Sequence, residues 1–261
     1  MDNNINENDM RNSPQIVLIA CGSFNPPTFM HLRMFEIARD YLQRKGEMVI
    51  GGIMSPVHDA YGKKELEHST HRITMLKEAL KDSDWIKVSP WESQQEGWSK
   101  TRVVVQYHQN HLNAIVNDCS ITPSNSVLSW VPDTLLNQNQ NNKRKIQLKL
   151  LCGADLLESF AVPNLWASED MECLVGEHGL VVISRNGSNS EKFIYESDLL
   201  YHYVNNIDLV TEWITNELSS TKIRRALRRS ESVKYLIPDA VIDYVYKHNL
   251  YGSGVQNIKE L

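Results

Sequence analysis

The chain has 261 residues, with 27 Lys and Arg against 32 Asp and Glu and a net charge of −5. That length suits one large α/β domain or two small ones with a substantial core. Its net acidity excludes a general nucleic-acid binder, so an anion site here has to be a local concentration of positive charge. No window approaches about 18 uninterrupted apolar residues, so no membrane span is expected. The polar, acidic stretch 1–9 is neither a secretory signal nor an Arg-rich transit peptide. Cys21, Cys119, Cys152 and Cys173 are scattered, and their spacing fits neither a zinc site nor a disulfide scaffold. Cys21 and Cys152 end apolar runs and read as small buried hydrophobes in a reducing compartment. A soluble intracellular protein is expected.

In chain order, residues 16–21 read as a buried strand, and 32–42 carry apolar residues at helical spacing. Between them lies Gly22-Ser23-Phe24-Asn25-Pro26-Pro27-Thr28-Phe29-Met30-His31, a tight loop stiffened by two prolines. Strands follow at 48–54 and 86–88, with a helix near 70–81 and a long one from about Trp98 to Val116. Residues 117–145 lose all periodicity, and 137–142 are all Asn or Gln, so a disordered insertion is expected there. It ends in Asn142-Lys143-Arg144-Lys145, a basic trio that reads as a solvated linker end or a nuclear import signal. The strand pattern resumes at 146–152, 180–184 and 207–210. A helix opens at Ser219 or Ser220, and Pro238-Asp239 starts a closing helix to about His248. This alternation predicts an α/β fold, a doubly wound parallel sheet with helices on both faces. One domain is expected over 14–252, with flexible tails at 1–13 and 253–261.

Two segments carry chemistry. The strand–loop–helix around Gly22 and His31 offers unpaired N–H groups and a positive helix end to a phosphate. Its glycine spacing matches neither a dinucleotide fingerprint nor a P-loop. The second segment, Leu218-Ser219-Ser220-Thr221-Lys222-Ile223-Arg224-Arg225, places cations in the first turns of a helix, where they oppose the dipole unless a polyanion is bound. Two such helix starts suggest a pyrophosphate held between them. Such sheets bind ligands beyond the carboxyl ends of their strands, and Gly22 and Gly153 both sit at that edge.

The pair resembles the His-x-Gly-His and Ser-Thr-x-x-Arg motifs of the nucleotidyltransferase superfamily, as found in eukaryotic nicotinamide mononucleotide adenylyltransferases. Thr28 and Met30 stand where the superfamily has its first His and its Gly, a departure that the eukaryotic branch shares. Ser55-Pro56-Val57, Asp59 to Lys64, Trp91-Glu92-Ser93, the run 150–166 and Lys192 to Asp198 also resemble that family. The likeness covers roughly residues 16–116 and 146–251.

The resemblance implies a Rossmann-like nucleotidyltransferase fold with C-terminal helices. It also implies attack by the 5′-phosphate of nicotinamide mononucleotide on the α-phosphorus of ATP, giving NAD and pyrophosphate, with nicotinic acid mononucleotide also accepted. His31, Lys222 and Arg224 would be catalytic. Gly22, Ser23, Phe24, His31, Ser220, Thr221, Lys222, Ile223 and Arg224 would bind the ATP phosphates. Ser23, Phe24, Lys63, Trp98, Thr101, Gly153, Asp155, Leu165, Trp166, Arg185 and Asn216 would bind the mononucleotide or NAD. Lys64 is as good as Lys63 on spacing alone. Trp98 and Trp166 would stack on the cationic pyridine ring, whereas Trp85, Trp91 and Trp213 are assigned to the core. Mg2+, or another divalent cation, would ride on the triphosphate through waters rather than in a carboxylate cage. The family includes dimers and larger assemblies, so a homo-oligomer is expected. The alternatives are a client-binding, chaperone-like protein using the same cleft, and a related transferase with another acceptor. Further arginines at 225, 228 and 229 read as surface or salt-bridging.

Overall fold

The computed structural model describes residues 14–117, 129–136, 144–184, 189–214 and 216–254. Six strands, β1 (Gln15–Gly22), β2 (Met48–Pro56), β3 (Ile86–Val88), β4 (Ile146–Gly153), β5 (Leu180–Ser184) and β6 (Ile207–Thr211), form one sheet in the order β3-β2-β1-β4-β5-β6. Every pairing is parallel. The helices are α1 (Phe29–Arg44), α2 (Ser69–Ala79), α3 (Thr101–Asn117), α4 (Asp133–Leu136), α5 (Ala154–Ser159), α6 (Ser168–Glu172), α7 (Ser190–Tyr195), α8 (Asp198–His202), α9 (Ser220–Arg228) and α10 (Asp239–Lys247). No described helix is long and apolar enough to cross a membrane.

Alternation along β1 builds two cores. Val17 and Ile19 face one layer with Val104, Leu112 and Leu157, while Ile16, Leu18 and Ala20 face the other with Phe35 and Leu76. A third cluster joins Met75 of α2 to Ile223 and Leu227 of α9 and to Val241 and Val245 of α10. The strand order reverses between β1 and β4, which is the doubly wound switch point.

Several expectations are corrected. The insertion expected over 117–145 is not structureless throughout, because Trp130, Val131 and Leu135 are buried in the core. Trp130 is wholly buried against His108, with ring centroids 4.5 Å apart, and Thr134 Oγ1 donates to Ile50 O at 3.0 Å. Pro132 occupies the place a Gly51 side chain would take, and Phe35 does the same at Gly52 from the opposite face. This anchoring gives the hydrophobic residues of the segment a function that a period-based reading cannot see. Residues 118–128 and 137–143, including Cys119, Lys143 and the Asn/Gln run, lie outside the described residues, as do 1–13 and 255–261. Ser253, assigned to a tail, is buried and donates to Val245 O at 3.3 Å. Trp213 is not a core residue: it is 88% exposed in the loop after β6. Trp85 and Trp91 are half-buried, the first under Arg39 at 4.2 Å and the second stacked on Tyr107 at 3.9 Å. Helix α3 starts at Thr101, so Trp98 sits in the loop before it.

Trp130→Ala removes the largest wholly buried side chain and should cost about 3–5 kcal/mol of stability. Urea denaturation of both proteins checks this; an unshifted midpoint would mean that the segment does not seal the core.

Candidate active site

The loop after β1 meets the loop after β2 because Gly22 pairs with Pro56 across the parallel ladder. Phe24, buried at φ 45°, turns its ring over Gly22, where an added Cβ would lie 3.3 Å from Cζ. A buried phenylalanine in the left-handed region is strained and has to be held by its surroundings. Arg72 of α2 provides that hold. It is wholly buried and donates to Ser23 O (3.0 Å), Glu67 O (2.8 Å), Val57 O (2.6 Å) and Asp59 Oδ1 (2.8 Å). Partial burial would raise the Asp59 carboxyl, but the Arg72 and Ser69 hydrogen bonds outweigh it and the net shift is downward. Asn25, also wholly buried, donates to Glu65 O at 2.7 Å and accepts from Glu67 N at 3.2 Å and Tyr251 Oη at 2.8 Å.

His31 lies in the first turn of α1, capped by Thr28. Its Nδ1 accepts from Thr28 N–H at 3.0 Å and sits 2.8 Å from Thr28 Oγ1. A backbone N–H only donates, so Nδ1 carries the lone pair and the neutral ring holds its proton on Nε2. The main-chain N–H of Thr28 thus sets the tautomer, with the Thr28 hydroxyl beside the same nitrogen. The Phe24 ring meets the imidazole edge-on at 5.3 Å.

Helix α9 is brought to this loop. Ser219 caps it, accepting from Lys222 N at 3.3 Å, and Ser220 Oγ donates to Pro26 O at 2.8 Å. Arg224 is buried and donates through Nη1 to Asn25 O at 2.9 Å, with Nε 3.4 Å from Glu65 Oε2. Part of its fork therefore serves the scaffold. Lys222 is exposed and paired with Glu217 at 2.7 Å, and Thr221 is exposed. Ile223 is the poorest match among the expected phosphate contacts. Its side chain is in the third core cluster and its N–H donates to Ser219 O, so it has no polar group left over for a ligand in this helix. Arg228 reaches Glu65 at 3.2 Å and Arg229 reaches Glu231 at 3.9 Å, as surface ion pairs; Arg225 is also exposed.

Of the two lysines left open by spacing, Lys63 is the one that reaches the loop, donating to Ser23 Oγ at 3.2 Å. Desolvation and the nearby Arg224 guanidinium push its ammonium pKa down, while Asp155 opposes them. Lys63 thus lies near both the Arg224 guanidinium and the Asp155 carboxylate. Asp155 Oδ1 accepts from Leu156 N at 3.0 Å, and any Cβ at Gly153 would fall 2.6 Å from that oxygen. Trp98 is half exposed with its ring 6.3 Å from Tyr61, while Trp166 is half-buried, 5.0 Å from Phe160, and donates from Nε1 to Ser159 Oγ at 3.0 Å. Leu165 is exposed, and Thr101 opens α3 between Lys100 and Arg102, both held by the buried carboxylate of Asp170 at 2.7 Å. Arg185 lies outside the described residues. Asn216 accepts from Leu218 N at 2.9 Å, just before the cap of α9. It lines a groove of about 550 Å³ with Phe29, Arg33, Trp85 and Glu212, in which no other expected contact takes part. In that groove Arg33 pairs with Glu212 and Arg39 with Glu36, and Asp82 and Asp84 add further acidic groups. The surplus of positive charge is at the sheet edge.

Glu92, Arg72 and Asn25 carry no signal of a role in local sequence, because each gains its role only by burial. Glu92 is buried beneath the loop and accepts from Ser55 Oγ at 2.8 Å. Burial pushes its carboxyl up to about 7, with the Ser55 hydrogen bond and Arg72 offsetting only part of the effect. Burial also raises the Cys21 and Cys152 thiols, so both remain inert. The folded protein therefore holds the Glu92 proton to a higher pH than the unfolded chain. Between the ordinary value of 4.5 and about 7, stability should fall with rising pH by roughly 3 kcal/mol from this group, then level off. Glu92→Gln should remove that component. Melting temperatures of both proteins at pH 5 and pH 7.5 test it, and parallel pH profiles would mean that Glu92 is ionised when folded.

A cytidylyltransferase-like family model matches residues 19–226. A nicotinamide-nucleotide adenylyltransferase of Drosophila melanogaster is 50% identical over 91% of this chain, which spans 61% of that protein's length. Nicotinamide/nicotinic acid mononucleotide adenylyltransferase 1 of Bos taurus is 49% identical over 92% of this chain and 89% of its own. The nicotinamide/nicotinic acid mononucleotide adenylyltransferase of Arabidopsis thaliana is 39% identical over 90% of each chain. Among solved structures, Plasmodium falciparum nicotinic acid mononucleotide adenylyltransferase, complexed with NaAD, superposes with a TM-score of 0.59 at 16% identity, covering 91% of this chain and 98% of that one, which speaks for the fold. The switch-point sheet, the His31 helix start and this depth of identity along nearly the whole chain place the protein in the nicotinamide/nicotinic acid mononucleotide adenylyltransferase family.

Proposed function

We propose that this protein transfers the adenylyl group of ATP to nicotinamide mononucleotide or nicotinic acid mononucleotide, releasing pyrophosphate and forming NAD or its deamido form. The observation that carries the reading at the level of this chain is the meeting of two helix starts. Arg224 and Ser220 of α9 bond to the main chain of Asn25 and Pro26, five to six residues before His31. The relatives' names support the catalytic reading, and nothing in them supports the client-binding one.

The nucleophile is a phosphate that is anionic near neutral pH, so the site has to align it and balance charge rather than remove a proton. His31 presents Nε2–H to the bridging and leaving oxygens. Lys222 and the open edge of Arg224 take the β- and γ-phosphates, with Ser220, Thr221 and the Gly22–Phe24 main chain beside them. Glu217 and Glu65 are exposed, so the triphosphate displaces their ion pairs at little cost. Lys63 receives the mononucleotide phosphate, Gly153 allows close approach, and Asp155 accepts from ribose hydroxyls. Trp98 and Trp166 flank the pyridine ring, and Thr101 and Leu165 address its carboxamide. Mg2+ is carried in on the triphosphate through waters. When bound, that ion supplies further charge neutralisation on the phosphates.

Pyrophosphate release that needs both ATP and mononucleotide, matched mole for mole by NAD, is the expected result; release without NAD would mean another acceptor. His31→Ala should lower kcat by roughly 10²–10³-fold with KM for the mononucleotide little changed. An unchanged kcat would remove the catalytic role. Trp166→Ala should raise that KM by about five- to thirtyfold, corresponding to 1–2 kcal/mol of lost stacking, with kcat nearly unchanged. An unaltered KM would return Trp166 to a packing role.

A further inference from the structure

We propose that Cys173, Glu177 and His178 form a binding site for one zinc-class divalent cation at the end of the sheet opposite the nucleotide site. The three side chains lie on a π-helical turn, Cys173–His178, that continues α6 and leads through Gly179 into the amino end of β5. In an α-helix residues five apart point about 140° away from each other. The wider π turn brings positions 173, 177 and 178 to one side, and such turns recur at functional sites. One ligand atom from each residue, a thiol sulfur, a carboxylate oxygen and an imidazole nitrogen, lies within 4.8 Å of the other two.

A second observation points independently to a ligand. His178 is only 2% exposed, and neither ring nitrogen has a partner at hydrogen-bond geometry, although the Leu148 carbonyl lies beside the ring. A buried imidazole left in that state is costly. Metal binding would satisfy it in the usual way, with one nitrogen on the ion and the other N–H turned to a main-chain carbonyl.

The donor set selects the ion. One thiolate, one imidazole and one carboxylate favour Zn2+ over Mg2+ or Ca2+, which take oxygen ligands. Tetrahedral Zn2+ sets such atoms about 3.3–3.8 Å apart, so the site closes with a movement of roughly 1 Å. Glu177 is exposed and Cys173 half-buried, which leaves a fourth position for water. Binding would release the Cys173 thiol proton to solvent. By their own spacing the scattered cysteines fit no zinc site; this one draws a single cysteine together with Glu177 and His178. It would staple the lower end of the same helical segment whose upper end, at Asp170, holds Lys100 and Arg102 around Thr101.

The test is a titration of chelator-treated, nucleotide-free full-length protein with Co2+ as the probe. One equivalent should give tetrahedral visible bands and a thiolate-to-cobalt charge-transfer band, both displaced by Zn2+. Cys173→Ser should abolish the charge-transfer band. Glu177→Ala should weaken Co2+ binding by more than the roughly 10–100-fold expected for loss of an outer-shell partner. Both variants should keep wild-type adenylyl transfer with Mg2+. A charge-transfer band that survives Cys173→Ser, an octahedral spectrum alone, or no stoichiometric binding overturns the proposal. Should Cys173→Ser fail to fold, Glu177→Ala decides it: unchanged Co2+ affinity overturns the site.

Discussion

The buried guanidinium of Arg72 is the interaction on which the ligand-facing edge depends. The loops after β1 and β2 are irregular, and irregular backbone that turns inward leaves carbonyls without ladder partners. Arg72 supplies donors to three of them and to the Asp59 carboxylate, so the loops that carry Ser23, Val57 and Glu67 are tied to one side chain. A buried guanidinium is stable only when its own donors are met, and here each partner meets the other's need. Asn25 does the same work one layer nearer the C-terminal helices, joining Glu65, Glu67, Tyr251 and Arg224. The result is a β1–α1 loop held in place by the fold itself, including a Phe24 conformation that a free loop would avoid.

That rigidity lets an acidic protein keep a cationic edge. Lys63 lies near Arg224, Arg224 and Arg228 share Glu65, and Lys222 opens the same helix; the acids that pair with the α9 cations, Glu65 and Glu217, are on exposed chain. Such pairs are weak in water and exchange readily for a polyanion. Deeper ion pairs behave differently. Lys149 and Asp208, both buried at 2.8 Å, tie β4 to β6 and belong to the scaffold. The fold thus separates charges that hold the sheet from charges available to a ligand by burial rather than by residue type.

Much of this was legible in the chain. All six strands fall where runs of apolar residues place them, because a strand buried on both faces needs such a run. Helix α1 begins three residues before its apolar repeat because Thr28 caps it, a signal masked by the two prolines. The two helix starts with His31 and with Lys222 and Arg224 were marked by cations and a histidine in places where the helix dipole makes them unusual. Trp130 was hidden because its burial comes from a short excursion without periodicity. Trp213 misled because a tryptophan's size argues for a core that this loop does not reach. Asn216 followed the family's pattern, and its loop both leads into the α9 cap and lines the Phe29 groove.

By itself the sequence determined the order of elements, the parallel sheet and the chemical inventory at the two helix starts, because periodicity, capping and dipole effects act within a few residues. The tertiary structure alone decided which polar groups are buried and what satisfies them. Arg224 finds its acceptor 199 residues away and Tyr251 finds Asn25 across 226. Arg72, by contrast, gathers three carbonyls from the loops after β1 and β2. No local pattern encodes such partnerships, since a buried hydrogen bond is specified by the geometry of the closed fold and not by the neighbours of either residue in the chain.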